Sequence, residues 1–282
     1  MIAVMKSVRG VVSVIIPAAR PKLAEKAKAS VLRQKVSGVV AEVVMVKALG
    51  MTPGKARNLG ARRARGEWLI FLDDDCQARP GWLRENLRFL TGEETGAVGG
   101  MVEGKSGKYF ARCVDYANFT FAQTSRRREM PICAASLGVK RTVFEAVGGF
   151  REDTWVGEDT DFCFRLQEKG GKTIYEPRIK VWHEHGRETM RDLLAYQFRN
   201  GRLKGLTIEM RYPAGVWFRF LKMVAHPGVY WLLILPFAVT ATLAAGIVGT
   251  KDRPWLAVYL PGVFLGKLAC QLGIYTWLIK KP

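Results

Sequence analysis

The sequence predicts an α/β domain, an open and mostly parallel sheet with helices on both faces. Three observations predict it. Short runs rich in Val and Ile alternate with segments whose apolar residues recur at helical spacing, the order that builds such layers. One run, Trp68-Leu69-Ile70-Phe71-Leu72, is unbroken apolar sequence, as a strand buried on both faces requires. Three acids, Asp73, Asp74 and Asp75, follow it directly, where ligands of open α/β sheets bind beyond the carboxyl ends of strands.

In order, Val11 to Ile16 reads as the first strand, stopped by Pro17. The opening twenty residues have the basic and small residues of a signal peptide, but a buried strand accounts for the same apolar run. "KLAEKAKASVLRQ" is a helix with Leu23, Ala27 and Val31 on one face, "AEVVMV" the second strand and "GKARNLGARRA" the second helix. Glu67 to Leu72 is the third strand, and Pro80 suits the first turn of the helix after the acids. "TGAVGGMVEG" is a further strand, and "SLGVKRTVFEAVGGF" a strand and helix stopped by Gly148-Gly149. In "GEDTDFCFRLQEKGGKTIYEP" an acidic loop opens a helix, Gly170-Gly171 ends it, and a short strand runs to Pro177.

Composition changes near residue 187, which sets three expected regions: the α/β domain over 1–186, which would carry the site, an amphipathic interfacial segment over 187–225 and a transmembrane hairpin over 226–282. In the second, basic and bulky apolar residues interleave, as in "RDLLAYQFRNGRLKGL". The hairpin has two runs of bilayer-spanning length, 229–250 with a kink expected at Pro236, and 255–279 with Lys267 near its middle. Trp231, Trp255 and Trp277 lie near the ends as interfacial anchors. Arg219, Lys222, Lys280 and Lys281 flank the hairpin and put the large domain on the cytoplasmic side of a membrane crossed twice.

The chain of 282 residues has 44 Lys+Arg against 25 Asp+Glu, a formal charge of +19, so its partners are expected to be anionic. Nucleotide phosphates, an anionic membrane surface and nucleic acid all satisfy that. No RNP strand or zinc finger is present and the apolar hairpin is out of place in a nucleic-acid binder, so nucleic acid is not expected. The five cysteines, at 76, 113, 133, 163 and 270, form no CxxC pair and have no regular spacing, so neither a zinc knuckle nor a disulfide framework is expected.

Acids are the scarcer charge, yet three are adjacent at one strand end. Adjacent carboxylates repel, and a divalent cation relieves that; an oxygen-rich site suits Mg²⁺ or Mn²⁺, which would hold a diphosphate. A solvated acidic turn capping the next helix is the plain alternative. A second cluster, Glu158-Asp159 with Asp161, favours the metal: one cluster carries the cation while the other supplies a general base. Displacing a nucleotide from a sugar needs both functions. His183 and His185 follow the last strand, and one of them is a candidate ligand.

Taken together, "VSVIIPA", "GKARNLGARRARGEWLIFLDDDC", "SLGVKRTVFEAVGGFRED" and "VGEDTDFCFRLQEKGGKTIYEPRIKVWH" resemble, in that order over residues 11–186, glycosyltransferase family 2 with the GT-A fold. The resemblance implies inverting transfer from a nucleotide-diphosphate sugar, with Mg²⁺ or Mn²⁺ as cofactor. It implies donor contacts from Asp73, Arg57 and Pro17, metal ligation by Asp75 with Asp73 and His183, Asp159 as catalytic base and Glu158 as its neighbour in the acceptor site. The interfacial and apolar segments point to a lipid-linked or membrane-proximal acceptor. Two departures stand out. Ala18-Ala19-Arg20 replaces the usual polar residues after the first strand, and Lys47 stands where a base-reading carboxylate is expected, which leaves two alternatives: Lys47 and Arg20 contact phosphates instead, or donor binding is weakened. "YQFRNGR" lacks the Arg-Trp of processive members. Lys47 also motivates the competing reading, a membrane-anchored binding protein whose transferase domain is degenerate.

Overall fold

The computed structural model describes residues 10–92, 96–119, 125–211 and 254–279. The chain divides into two compact units, one of residues 1–105 and 125–185, the other of 106–124 and 186–282.

The first unit is built on one eight-stranded sheet. Its elements are β1 (Gly10–Ala18), α1 (Pro21–Leu32), β2 (Val39–Lys47), α2 (Pro53–Arg63), β3 (Trp68–Leu72), β4 (Cys76–Ala78), α3 (Trp82–Leu90) and β5 (Gly96–Gly104). After α4 (Tyr109–Asn118), which belongs to the second unit, come β6 (Arg128–Glu129), β7 (Ser136–Lys140), α5 (Arg141–Val147), α6 (Glu158–Glu168) and β8 (Lys172–His183). The strands lie in the order β2-β1-β3-β7-β5-β8-β4, with β6 on β8.

The sheet is mixed, which corrects the expectation of a mostly parallel one. β1 is parallel to β2 and β3, and β5 to β8, but β7 is antiparallel to both β3 and β5, and β4 and β6 are antiparallel to β8. The reason is where the chain re-enters. Leu72 pairs with Ser136, so β7 starts at the edge where β3 ends and must run back along it. An apolar strand reads alike in either direction, so its sequence does not carry this information.

Pro17 does not end β1, which continues to Ala18. β3 pairs with β1 only as far as Ile15, so the donor that proline lacks is not required on that side. Every residue of β3 is buried. On one face Phe71 meets Phe144 and Phe150 with ring centroids 5.3 and 4.9 Å away, and Phe150 meets Phe162 at 5.0 Å. At α2, a Cβ on Gly60 would come within 2.3 Å of Ile15 Cγ2, so glycine lets this helix lie directly on β1.

Between β5 and β8 the register jumps: Gly100 pairs with Glu176 but Met101 with Lys180. The extra residues 177–179, including Pro177, form a bulge on β8.

The second unit holds α4, α7 (Met190–Arg211), a 3₁₀ turn (Pro254–Tyr259) and α8 (Leu260–Ile279). Thr189 and Asp192 form a reciprocal cap on α7: Asp192 Oδ2 accepts from the Thr189 N–H at 3.0 Å and Thr189 Oγ1 accepts from the Asp192 N–H at 3.1 Å. Glycines bring α7 and α8 together. A Cβ on Gly201 would fall 1.7 Å from the Cys270 carbonyl oxygen, and one on Gly273 2.1 Å from that of Phe198. Among the described residues one helix, over Trp255–Ile274, is long and apolar enough to cross a membrane, and half of that stretch is buried within the protein. The other expected span, 229–250, lies outside the described residues, as does the part of the interfacial segment beyond residue 211.

Candidate active site

The parallel strands β1, β2 and β3 end together, with Ala18 paired to Lys47 and Ile15 to Phe71. At this edge the chain leaves β3 through Asp73, Asp74 and Asp75. The segment before β7 arrives here too, with the Asp73 N–H donating to the Ala135 carbonyl at 3.3 Å. Side chains from α2, α6 and β8 complete the group.

The three acids have different partners. Asp73 Oδ1 accepts from Arg57 Nη2 at 2.6 Å, and Arg57 Nη1 donates to Glu158 Oε1 at 2.6 Å, so one buried guanidinium joins the end of β3 to the start of α6. Burial works against the charged Arg57, but Asp73 and then Glu158 outweigh it and hold it above the ordinary guanidinium range. Burial, with Asp159 beside it, pushes the Glu158 carboxyl up to about 7 against the pull of Arg57. Arg57 is 5.6 Å from the centroid of the Phe150 ring, and its Nε is buried with no hydrogen-bond partner among the described residues.

Asp74 turns the other way. Its Oδ2 accepts from the backbone N–H groups of Ala19 at 2.9 Å and Arg20 at 2.6 Å, and its Oδ1 from Arg20 Nε at 3.1 Å and from Arg20 Nη2. It is the anchor that ties the β1–α1 turn to the end of β3.

Asp75 faces β8. The β4–β8 pairing sets Cys76 opposite His183, and His183 Nε2 lies 3.3 Å from Asp75 Oδ2. The same oxygen is 2.8 Å from Arg20 Nη2. Burial pushes Asp75 up, but the His183 hydrogen bond and charge and then Arg20 prevail and hold it well below the usual carboxylate range. An ionised carboxylate and an imidazole nitrogen on one point are a donor set that fits a divalent cation. The His185 ring centroid is 4.9 Å from that of His183.

Asp159 is half-buried in the first turn of α6. Its Oδ2 accepts from the Ala134 N–H at 3.2 Å and its Oδ1 from the Thr160 N–H at 2.7 Å. Gly157, at φ 87°, turns the chain into this helix, and acids in the first turn match its positive end. Arg165 locks the far side, bonded to Asp161 and to the carbonyls of Val147 and Gly149, each at 2.7 Å.

The structure thus brings Arg57, Asp73 and Glu158 into one chain of contacts, and Asp75 and His183 into another. Lys47 is exposed at the end of β2, and Pro17 is half-buried inside β1, paired with Val46. Two residues take a place that sequence reasoning did not give them: Arg20, expected on phosphate, sits on Asp74 and Asp75, and Asp74 ties down the turn after β1. The available signal was position, since a residue directly after β1 must meet one directly after β3 when those strands are parallel neighbours.

Comparison with known proteins agrees with this architecture. A family model described as "Glycosyltransferase like family 2" matches residues 3–202. The chain is 31% identical over 156 residues to a pre-mycofactocin glycosyltransferase of Mycobacterium tuberculosis, covering 51% of this chain and 32% of that protein. It is 29% identical over 153 residues to a probable N-acetylgalactosaminyltransferase 9 of Caenorhabditis elegans, covering 46% and 26%. It therefore spans about a third or less of the length of these curated relatives. In shape it is similar to the mannosyltransferase PcManGT of Pyrobaculum calidifontis, solved with GDP-Man and Mn²⁺, with a TM-score of 0.60 at 17% identity, covering 94% of this chain and 88% of that one. At that identity the likeness speaks for the fold.

Proposed function

The chain belongs to glycosyltransferase-like family 2, whose model matches it over residues 3–202, and from that premise we propose that it is an inverting glycosyltransferase that moves a sugar from a nucleotide-diphosphate donor to a lipid-linked or membrane-proximal acceptor. The observation that carries the reading is the convergence of Asp75 with His183, and of Asp73 and Glu158 on Arg57, at one edge of the sheet. Mannosyltransferase PcManGT holds GDP-Man and Mn²⁺, which supports a nucleotide sugar and a divalent cation here.

Asp75 and His183 would hold the cation, with Asp73 alongside. A bound Mg²⁺ or Mn²⁺ supplies charge to neutralise the departing diphosphate. The imidazole in the donor set favours Mn²⁺ of the two. Arg57 keeps Asp73 and Glu158 in register, and its buried, unpartnered Nε is a donor that a phosphate oxygen would satisfy. Asp159, fixed by two backbone N–H groups, takes the proton of the acceptor hydroxyl as its oxygen bonds to the sugar carbon and the bond to the diphosphate breaks. Glu158 is buried against Arg57, so its part is to orient that guanidinium and the wall beside Asp159. Lys47, at the same edge, would meet phosphate rather than base. The apolar stretch Trp255–Ile274 supports an acceptor at a membrane.

The test is donor turnover by the purified protein with Mn²⁺, comparing Asp159→Asn and Asp75→Asn with the parent. Loss of the base is expected to lower kcat by about 10²–10⁴ while leaving the donor bound. Asp75→Asn is expected to abolish the Mn²⁺ response. Equal turnover in all three proteins would instead support the non-catalytic reading that Lys47 suggests.

A further inference from the structure

A cation is already seated on Asp75, the guanidinium of Arg20. Resting on the metal site proposed above, we infer that Arg20 is a resident counter-cation of Asp75, which a divalent ion must displace in order to bind. Metal entry and release of the Arg20 side chain are then one coupled event.

The geometry points there from three sides. First, Arg20 Nη2 lies 2.8 Å from Asp75 Oδ2, and His183 Nε2 lies 3.3 Å from that same oxygen. A cation ligated by Asp75 and His183 would take the lone pair that the guanidinium now uses, and two positive charges within about 4 Å of each other in a poorly hydrated site repel strongly. Second, the side chain can leave without unfolding its surroundings. It is 41% exposed, whereas the carboxylates it touches are 3% and 7% exposed. The backbone of Ala19 and Arg20 stays bound to Asp74 Oδ2 whichever way the guanidinium points. Third, the other arginine of the site cannot play this part. Arg57 is 5% exposed and held on both sides by Asp73 and Glu158, so it is a fixed charge. Asp73 therefore keeps its own cation, and Asp75 has one that can be exchanged. The diphosphate of a donor gives the released guanidinium a new partner within the same site.

The experiment is Mn²⁺ titration of the full-length protein without nucleotide, read by the electron-spin-resonance signal of free Mn²⁺, for the parent, Arg20→Gln, Arg20→Ala and Asp75→Asn. Thermal unfolding of each establishes that it is folded. Arg20→Gln and Arg20→Ala are expected to bind Mn²⁺ about tenfold more tightly than the parent, the size of a typical coupling between sites. Asp75→Asn is expected to lose the site. Arginine variants that bind no more tightly than the parent, while Asp75→Asn loses binding, would overturn the displacement and leave the metal site standing. Unchanged binding in Asp75→Asn would overturn the metal site itself, and this inference with it.

Discussion

Asp74 accepts two backbone N–H groups and a guanidinium while almost wholly buried. Removing it leaves two amide donors at the start of α1 without their acceptor and the Arg20 guanidinium without one of its two buried carboxylate partners. Asp74→Ala is expected to lower stability by about 1–3 kcal/mol in urea unfolding, whereas Asp75→Asn is expected to change metal binding more than stability. From residue types, Asp73, Asp74 and Asp75 are interchangeable, and only the family resemblance separates them. Their division of labour comes from what lies opposite each carboxylate: Arg57 on α2, the turn after β1, and His183 on β8. Those partners are 16, 54 and 108 residues away, a distance that only the fold closes.

At the scale of elements, α6 shows how a local turn serves the site. Gly157 holds φ 87°, and the next two residues are Glu158 and Asp159. An alanine there meets the left-handed penalty of about 1–2 kcal/mol. Gly157→Ala is expected to lose that much stability by denaturant titration, and to lose more activity than this explains, because the first turn of α6 carries both carboxylates. This element was legible beforehand, since an acidic first turn, a helical period and a Gly-Gly stop all agree in "GEDTDFCFRLQEKGG". β1, β2 and β3 were legible for the same reason, their apolar runs being long and bounded. Strand direction was not: Leu137 and Val139 of β7 are buried like the residues of β3, and burial on both faces looks the same for parallel and antiparallel neighbours.

At the scale of the molecule, pH bears on stability through contacts that cross the first unit. Glu184, just after β8, pairs with Lys26 of α1 at 2.8 Å and with Lys105, just after β5, at 2.9 Å. Hydrogen bonds from Lys26 and then Lys105 lower its carboxyl to about 2. A depressed acid contributes stability that is fully present above its unfolded value near 4.5 and is lost as pH falls through about 2. Glu184 is half-buried but both lysines that it pairs with are exposed, so the contribution is expected to be below about 1 kcal/mol. Glu184→Gln is expected to unfold slightly earlier than the parent in urea at pH 7, with the two curves converging as the pH drops from about 4.5 towards 2. The bulge on β8 has a different kind of consequence. Because side chains alternate faces along a strand, the three residues between Glu176 and Lys180 decide which face His183 presents to Asp75. A chain one residue shorter there would retain every acid and histidine of the site and still turn the imidazole away from it. The length of this stretch is as much a part of the proposed metal site as the proposed ligands.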